Sequence, residues 1–123
     1  MDSRIFSKRH GCGVALLRQS EIVYLQVDDK YINIYTDTNK YYVRSSLNEC
    51  MRKLEKNFIR ISRNVVVNFD NAVCVQDGEV IVNNGDKLSV SRRRWKEVKM
   101  AYMVYLSEKQ PLATKIDYSR YNT

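Results

Sequence analysis

The stretch "IVYLQVDDKYINIYTDTNKYYVRSSL", residues 22–47, decides the fold because short apolar runs alternate in it with turn residues. The three apolar runs lie at residues 22–27, 31–36 and 40–45. Aspartate, asparagine and threonine between the runs favour turns because their side chains bond to the nearby backbone. In the middle run Ile32 and Ile34 fall on one face, as in a half-buried strand. The stretch therefore predicts an antiparallel meander.

The apolar spacing changes to a helical period immediately after this meander. The residues that recur at i, i+3, i+4 and i+7 are Leu47, Cys50, Met51 and Leu54. Ser46 followed by Glu49 has the spacing of a capping box, in which each residue satisfies a free backbone donor of the other. We expect Asn57 to end the helix in the left-handed conformation. The pattern predicts one short amphipathic helix.

Polar residues interrupt the next strand-like block, "FIRISRNVVVNFDNAV" at residues 58–73. In a continuous strand Arg63 would share a face with Ile61 and Val65, and burying an unpaired guanidinium costs several kcal/mol. We therefore expect a turn near residues 62–64 that places Arg63 and Asn64 at the end of the strands. There their side chains could reach phosphates and base edges. The alternative is a structural arginine that pairs with a carboxylate.

Two further turn signals and a second helical pattern complete the chain. Asp77-Gly78 and Asn84-Gly85 supply the positive φ angles of tight hairpins, so residues 71–90 are predicted to form a second meander. Apolar residues between Trp95 and Leu106 share one helical face, which predicts a helix over residues 92–106. Two short helices among about eight or nine strands make the predicted fold class mainly β.

Basic residues exceed acidic ones by 21 to 14, which gives a formal net charge of +7. An excess of this size favours a polyanionic partner. Between Lys87 and Lys99 there are six cations and one anion, Glu97, so this segment alone carries +5. The sequence therefore concentrates positive charge near the start of the second helix.

The triple arginine Arg92–Arg94 conflicts with the helix that it is predicted to begin. Positive charge in a first helical turn opposes the helix macrodipole, and a bound phosphate would reverse that penalty. This conflict predicts an anion-binding site. The alternative is that the arginines extend into solvent or pair with Asp70, Asp77 or Asp86.

Several function classes lack their sequence signatures. The chain of 123 residues fits one domain, and three distant cysteines form neither a disulfide framework nor a zinc motif. His10 and Cys12 offer only two ligands, so we expect no metal and no cofactor. Phosphate-binding and hydrolase motifs are missing and one histidine leaves little scope for catalysis, so we expect no enzyme. The absence of a membrane span or secretory signal predicts a cytoplasmic protein without a membrane partner.

Three blocks in the same order resemble the LytTR family of bacterial DNA-binding domains. They are residues 22–47, "FIRISRNVVVN" at residues 58–68 and "KLSVSRRRW" at residues 87–95. The resemblance spans residues 22–106, with an N-terminal segment and first strand at 1–21 and a polar tail at 107–123. It implies an elongated arrangement of short antiparallel β-sheets. It also implies a transcription regulator that binds double-stranded DNA at paired direct repeats in promoters.

The resemblance also assigns roles to residues of this chain. The loop around Lys30 and Tyr31 is similar to one major-groove reader and Arg93 to the other, while Arg63 corresponds to a central segment that approaches the minor groove. The predicted DNA-binding residues are Lys30, Tyr31, Arg60, Arg63, Asn64, Arg92, Arg93 and Arg94. Ser62 stands where many members carry histidine and Asn64 where most carry serine, so the base preference there is not carried over.

The resemblance leaves the wider protein open. Members usually carry an N-terminal receiver domain, which does not fit before Ile22. We therefore expect a stand-alone member or the output domain of a two-component response regulator, with a histidine kinase pathway upstream and a dimer on DNA. Two other functions stay open: a single-stranded nucleic-acid binder that uses the tyrosine-bearing sheet, and a protein-interaction module that docks an acidic partner.

Overall fold

The structure, a computed structural model, describes residues 5–10 and 13–109, with side chains from residue 15 onward. Ten strands and two α-helices make up this part of the chain. The strands are β1 (Ile5–His10), β2 (Gly13–Arg18), β3 (Tyr24–Asp28), β4 (Tyr31–Tyr35), β5 (Lys40–Arg44), β6 (Phe58–Arg60), β7 (Val65–Asn68), β8 (Ala72–Gln76), β9 (Glu79–Val82) and β10 (Lys87–Ser89). The helices are α1 (Leu47–Lys53) and α2 (Trp95–Lys109). The predicted mainly β fold is confirmed.

A seven-stranded antiparallel sheet contains the predicted first meander. Its strand order is β2-β1-β5-β4-β3-β7-β6, so β3, β4 and β5 lie side by side as predicted. Ile32 and Ile34 are 1% and 0% exposed, which confirms the predicted buried face. The β3–β4 connection is a two-residue turn in which Asp29 takes a positive φ of 58°. Aspartate tolerates this conformation because its short side chain can bond locally.

A three-stranded sheet with the order β10-β9-β8 confirms the predicted second meander. Asp77 and Gly78 both have positive φ, 54° and 78°, as the tight turn requires. At the other turn Gly85 alone is positive, at 94°, and its N–H donates to the Val82 carbonyl at 2.8 Å. This connection is therefore longer than the predicted two-residue hairpin.

The predicted interruption of the 58–73 block is confirmed. β6 and β7 are separate antiparallel strands joined by a turn over residues 61–64, and the Ile61 N–H donates to the Val65 carbonyl at 2.9 Å. Ile61 is fully buried, whereas Arg63 and Asn64 are exposed. The turn thus keeps the apolar residue in the core and the guanidinium out of it.

The first helix begins as predicted but ends differently. The Glu49 N–H donates to the Ser46 hydroxyl at 3.1 Å, which confirms the N-terminal cap. The Glu49 carboxylate, however, accepts from the Ser45 hydroxyl. The prediction that Asn57 is a left-handed stop is wrong: the helix ends at Lys53, and Asn57 is not among the positive-φ residues. Instead the Asn57 amide donates to the Asn68 side chain at 2.6 Å.

The second helix is shifted by three residues from its prediction. Arg92–Arg94 form a separate 3-10 turn, in which the Arg94 N–H donates to the Ser91 carbonyl at 3.0 Å, and α2 begins only at Trp95. Short 3-10 segments are common at helix N-termini. The helix extends to Lys109, whose cation suits the negative end of the macrodipole. The three arginines therefore precede the α-helix.

Two hydrophobic clusters lie on opposite faces of β3 and β7. Leu25 and Val66 belong to the cluster that includes α1, whereas Tyr24 and Val67 belong to the cluster that includes α2. Successive side chains of a strand point to opposite faces, so these two strands are buried on both sides. That explains the uninterrupted valines of β7. The second cluster also contains Ile61, which connects the β6–β7 turn to the smaller sheet.

Candidate nucleic-acid interface

The β6–β7 turn lies beside the end of β3. Gln26 pairs with Val65, and the Val27 N–H donates to the Asn64 carbonyl at 2.9 Å. Two residues further along β3 the chain enters its turn at Asp29–Lys30. The turn that carries Arg63 and the turn that carries Lys30 therefore lie at the same end of the large sheet.

The junction between β10 and α2 is attached to this same turn. The Ser91 N–H donates to the Ile61 carbonyl at 2.9 Å, and the three arginines follow directly. The structure thus brings together three segments that are distant in sequence: residues 29–31, 61–64 and 91–94. We call these three segments the basic end.

The first segment of the basic end contains Lys30 and Tyr31. Lys30 is exposed in the turn, and Tyr31 is 40% exposed at the start of β4. The Tyr31 ring contacts the Tyr42 ring edge to face at 5.5 Å. Such a contact limits the motion of the ring while part of it stays accessible.

The second segment contains Arg63 and Asn64, which are both exposed. The Asn64 N–H donates to the Ser62 hydroxyl at 3.3 Å, so a side-chain bond closes the turn locally. The Arg63 guanidinium forms no ion pair with any described residue. The alternative of a structural arginine paired with a carboxylate is therefore wrong for Arg63.

The third segment presents the triple arginine. Arg92 and Arg93 are exposed, whereas Arg94 is half-buried. None of them forms an ion pair in the described part of the chain, where the recorded pairs join Arg52 to Glu49 and Lys56 to Glu108. Of the two alternatives to an anion site, pairing is excluded and solvent exposure holds for Arg92 and Arg93.

Two of the carboxylates named in the alternative as partners of the arginines accept hydrogen bonds from tyrosines instead. Asp86 accepts from the Tyr24 hydroxyl at 3.3 Å, and Asp70 accepts from the Tyr105 hydroxyl. Burial, followed by the nearby Asp86 carboxylate, raises the pKa of Tyr24 to about 12. Burial and Asp70 likewise raise the pKa of Tyr105. Both tyrosines stay protonated near neutral pH and donate to these carboxylates, which therefore have a hydrogen-bond partner other than an arginine.

Aromatic packing inside the protein occupies several of the tyrosines that could have formed a stacking platform for single strands. Tyr24 and Tyr35 stack on each other with ring centroids 4.3 Å apart. Phe69 contacts Tyr102 at 5.0 Å and Tyr105 at 5.5 Å. A tyrosine face that packs against another ring is not free to stack on a base.

A cleft of about 420 Å³, lined by both polar and apolar side chains, separates the β6–β7 turn from β10. Ser62 and Asn64 line it from the turn, and Lys87 and Ser89 line it from the strand. Hydroxyl, amide and ammonium groups are common ligands of phosphate oxygens. The cleft therefore extends the basic end toward the smaller sheet.

The buried polar residues at the opposite end of β3 and β7 from the basic end were not predicted. Asn68 is fully buried, donates to the Ile22 carbonyl at 2.8 Å and accepts from the Asp70 N–H at 2.9 Å. Gln19, 1% exposed, bonds to the backbone of Lys53 and Glu55. The position of Asn68 after three valines is a sequence signal for a buried amide. Gln19 stands among polar neighbours, so the sequence gives no such signal for it.

No group of three histidine, cysteine, aspartate or glutamate side chains converges within the described residues. Cys12 and the side chain of His10 lie outside them. Burial and the nearby Asp77 raise the pKa of the Cys74 thiol, which makes it a weak nucleophile. No helix among residues 5–10 and 13–109 is long and apolar enough to cross a bilayer.

Comparison with known proteins identifies the fold and the family. The family model of the LytTr DNA-binding domain matches residues 13–103. The LytTr DNA-binding domain of a methyl-accepting/DNA response regulator from Bacillus cereus superposes with a TM-score of 0.66 at 21% identity. That superposition covers 88% of this chain and 96% of the other, so the two share a fold.

Two curated proteins are similar in sequence. The sensory transduction protein LytT of Bacillus subtilis is 30% identical over 95 residues, which is 72% of this chain and 39% of LytT. An uncharacterized response regulatory protein of Vibrio cholerae is 37% identical over 60 residues, or 45% of this chain and 23% of that protein. The match thus spans less than half the length of each relative. Since the family model covers most of this chain, the chain belongs to the LytTr DNA-binding domain family.

Proposed function

We propose that this chain is a sequence-specific regulator of transcription that binds double-stranded DNA at paired direct repeats in promoters. The observation that carries the proposal is the basic end, where three segments present exposed cations that no described carboxylate neutralises. Unpaired cations on one surface favour a phosphate backbone, because DNA binding releases its condensed counterions. Membership in a DNA-binding domain family supports the same partner and no catalytic role.

The arrangement of the three segments suggests how DNA is read. The β6–β7 turn bonds to β3 on one side and to Ser91 on the other, so Arg63 lies between the two proposed major-groove readers. Arg93, with Arg92 beside it, reads one major groove, and the loop of Lys30 and Tyr31 reads the next. Arg63 approaches the intervening minor groove, where narrow A·T-rich stretches attract arginine. Asn64, Arg94 and the polar side chains of the cleft contact phosphates.

The names of the relatives support a role in signal transduction. LytT is named a sensory transduction protein and the Vibrio cholerae protein a response regulatory protein. We therefore propose a response-regulator output domain that acts in the cytoplasm, downstream of a receiver domain and a histidine kinase, and that dimerises on DNA. The tyrosine packing gives less support to a single-stranded partner.

Selection from a randomised library of duplex DNA near physiological salt tests the proposal. The expected result is an enriched motif in two copies of the same orientation, about one helical turn apart. Binding without an enriched motif would reduce the function to nonspecific affinity. Tighter binding of single strands, weakened by Tyr31→Ala, would favour the alternative nucleic-acid partner. Absence of any nucleic-acid binding would direct attention to an acidic protein.

A further inference from the structure

Arg60 differs from the other cations predicted to contact DNA. It lies in β6 and is half-buried, whereas Lys30, Arg63 and Arg93 are exposed. Its Nη1 donates to the Asn48 side-chain oxygen at 3.0 Å, and its Nη2 donates to the Arg63 carbonyl at 2.8 Å. Its Nε is buried without a partner in the described chain. The guanidinium is thus held by acceptors of the protein itself.

These two bonds join α1 to the β6–β7 turn. A guanidinium is a planar fork whose donors point in fixed and different directions, so one side chain can hold two acceptors at once. A lysine ammonium carries the same charge, but on a flexible stem and without this fork. The geometry between Asn48 and Arg63 therefore depends on arginine, and positive charge alone does not supply it.

The bond to Arg63 acts on the main chain at the centre of the basic end. Arg60 holds the Arg63 carbonyl, and the Val27 N–H holds the Asn64 carbonyl at 2.9 Å. With two successive carbonyls held, the peptide planes on both sides of Asn64 are fixed. The Arg63 side chain then starts from a fixed backbone, which reduces the entropy that binding must remove.

We propose that Arg60 is a positioning residue that fixes the backbone of Arg63 for DNA binding and does not itself contact DNA. The inference rests on the proposed function and revises the prediction that Arg60 belongs to the contact set. It assigns the two arginines of the F-I-R-I-S-R block, residues 58–63, to different roles.

Three variants separate this role from a direct contact. The measurement is fluorescence anisotropy of the selected duplex at several salt concentrations, for Arg60→Lys, Arg60→Gln and Asn48→Ala. Both Arg60 variants are expected to bind roughly threefold to fivefold more weakly, which does not exceed the loss from removing the Arg63 side chain, because lysine keeps the charge without the fork. Asn48→Ala, which leaves Arg60 intact, should lose roughly twofold to threefold in affinity. Near-normal binding by Arg60→Lys, with a loss of about 0.9 in salt slope for Arg60→Gln alone, would show a phosphate contact and overturn the proposal.

A double-mutant cycle tests whether Arg60 acts through Arg63. In the Arg63→Ala background, Arg60→Gln should cause little further loss of affinity, since the contact that it positions is already gone. If the losses of affinity from Arg60→Gln and Arg63→Ala add in the double variant, the proposal is overturned.

Backbone dynamics of the free protein test the same idea without DNA. In Arg60→Lys and in Asn48→Ala, the NMR order parameters of the Arg63 and Asn64 amides should fall while those of β3 stay unchanged. Asn48 is exposed, so its variant tests the turn even where substitution of Arg60 impairs folding. An ordered turn in both variants would overturn the proposal. If the wild-type protein fails to bind duplex DNA, the proposed function fails, while the order parameters still decide whether Arg60 fixes the turn.

Discussion

The β6–β7 turn and the corner that follows β7 belong to one 16-residue block, yet they use polar side chains in opposite ways. In the turn, Arg63 and Asn64 are exposed, and the guanidinium has no ion-pair partner among the described residues. At the corner, the Asn68 side chain is fully buried and forms bonds on both its oxygen and its nitrogen. Asn71 likewise donates to the Ile22 carbonyl at 2.8 Å.

The comparison shows that residue type alone does not distinguish a binding group from a structural one. Asn64 and Asn68 stand four positions apart at the two ends of the same valine run. What separates them is the number of partners within the protein. A buried amide with satisfied bonds stabilises the fold, whereas an exposed group without partners is free for a ligand.

The largest expected effect comes from Asn68→Ala, which tests the structural half of the comparison. The substitution leaves the Asp70 N–H and the Asn57 amide without their partner and removes one of the two side-chain donors to the Ile22 carbonyl, which keeps Asn71. We expect a loss of about 3–4 kcal/mol in the free energy of unfolding, measured by urea denaturation. The matched control Asn64→Ala should change it by less than about 0.5 kcal/mol. Similar losses in both variants would remove the distinction between the two asparagines.

Arg93→Ala tests the binding half of the comparison. We expect a cost of about 1–3 kcal/mol on the selected duplex and much less on random DNA, because a bidentate base contact is lost. The free energy of unfolding should not change, since Arg93 is exposed and forms no ion pair with a described residue. Lys96→Ala removes an exposed cation from the first turn of α2, serves as control and should weaken binding to both duplexes equally. Equal losses from Arg93→Ala would make Arg93 a phosphate contact.

Arg63→Ala sharpens the comparison at the turn itself. We expect a cost of about 1 kcal/mol when the segment between the two repeats is rich in A·T, because a narrow minor groove attracts arginine. The cost should decrease when that segment is replaced by G·C pairs. Arg63→Lys is the matched control for charge. Anisotropy titrations on the two duplexes measure the difference, and identical costs on both would argue against minor-groove recognition.

The smallest expected effect concerns the Tyr24 hydroxyl, which donates to the Asp86 carboxylate, at high pH. Tyr24 has a folded pKa of about 12 against an ordinary value of 10.0. The native state therefore holds the proton more tightly, so this contribution to stability is complete below pH 10 and is lost as pH rises through 12. Urea midpoints should fall less for Tyr24→Phe than for the wild type between about pH 9 and about pH 11. An equal decline would show that Tyr24 is not a source of this pH dependence.

The sequence predicts the strands and their turns because those depend on neighbours along the chain. Apolar alternation between turn residues identified the first meander, and the Asp-Gly and Asn-Gly dipeptides identified the second. The cost of burying Arg63 identified the turn between β6 and β7. The start of α2 could not be predicted, because a 3-10 turn and an α-helix differ only in whether an N–H bonds to the carbonyl three or four residues before it. The residue pattern does not distinguish these two bonds. Asn57 was misassigned because its partner, Asn68, is brought to it only by the folded sheet.

Prediction of the site was limited by contacts between distant segments. The family resemblance selected the residues, but it did not show that Arg60 faces Asn48 and the Arg63 carbonyl. Gln19 reaches residues 34 and 36 positions away, and no local pattern reports such bonds. Packing and long-range hydrogen bonds determine these relations, so they require the structure.

Because β3 and β7 are buried on both faces, the core between the two sheets bears on the distance between the segments that are proposed to contact DNA. Lys30 and Arg63 extend from strands of the large sheet, whereas Arg93 is attached to the smaller sheet and α2. The valines between the two sheets, Val67 and Val80 among them, hold these segments at a fixed distance. In the proposed mode of binding, this distance separates the two major-groove contacts. A change of volume at a residue that touches no base would alter which repeat spacing the protein fits.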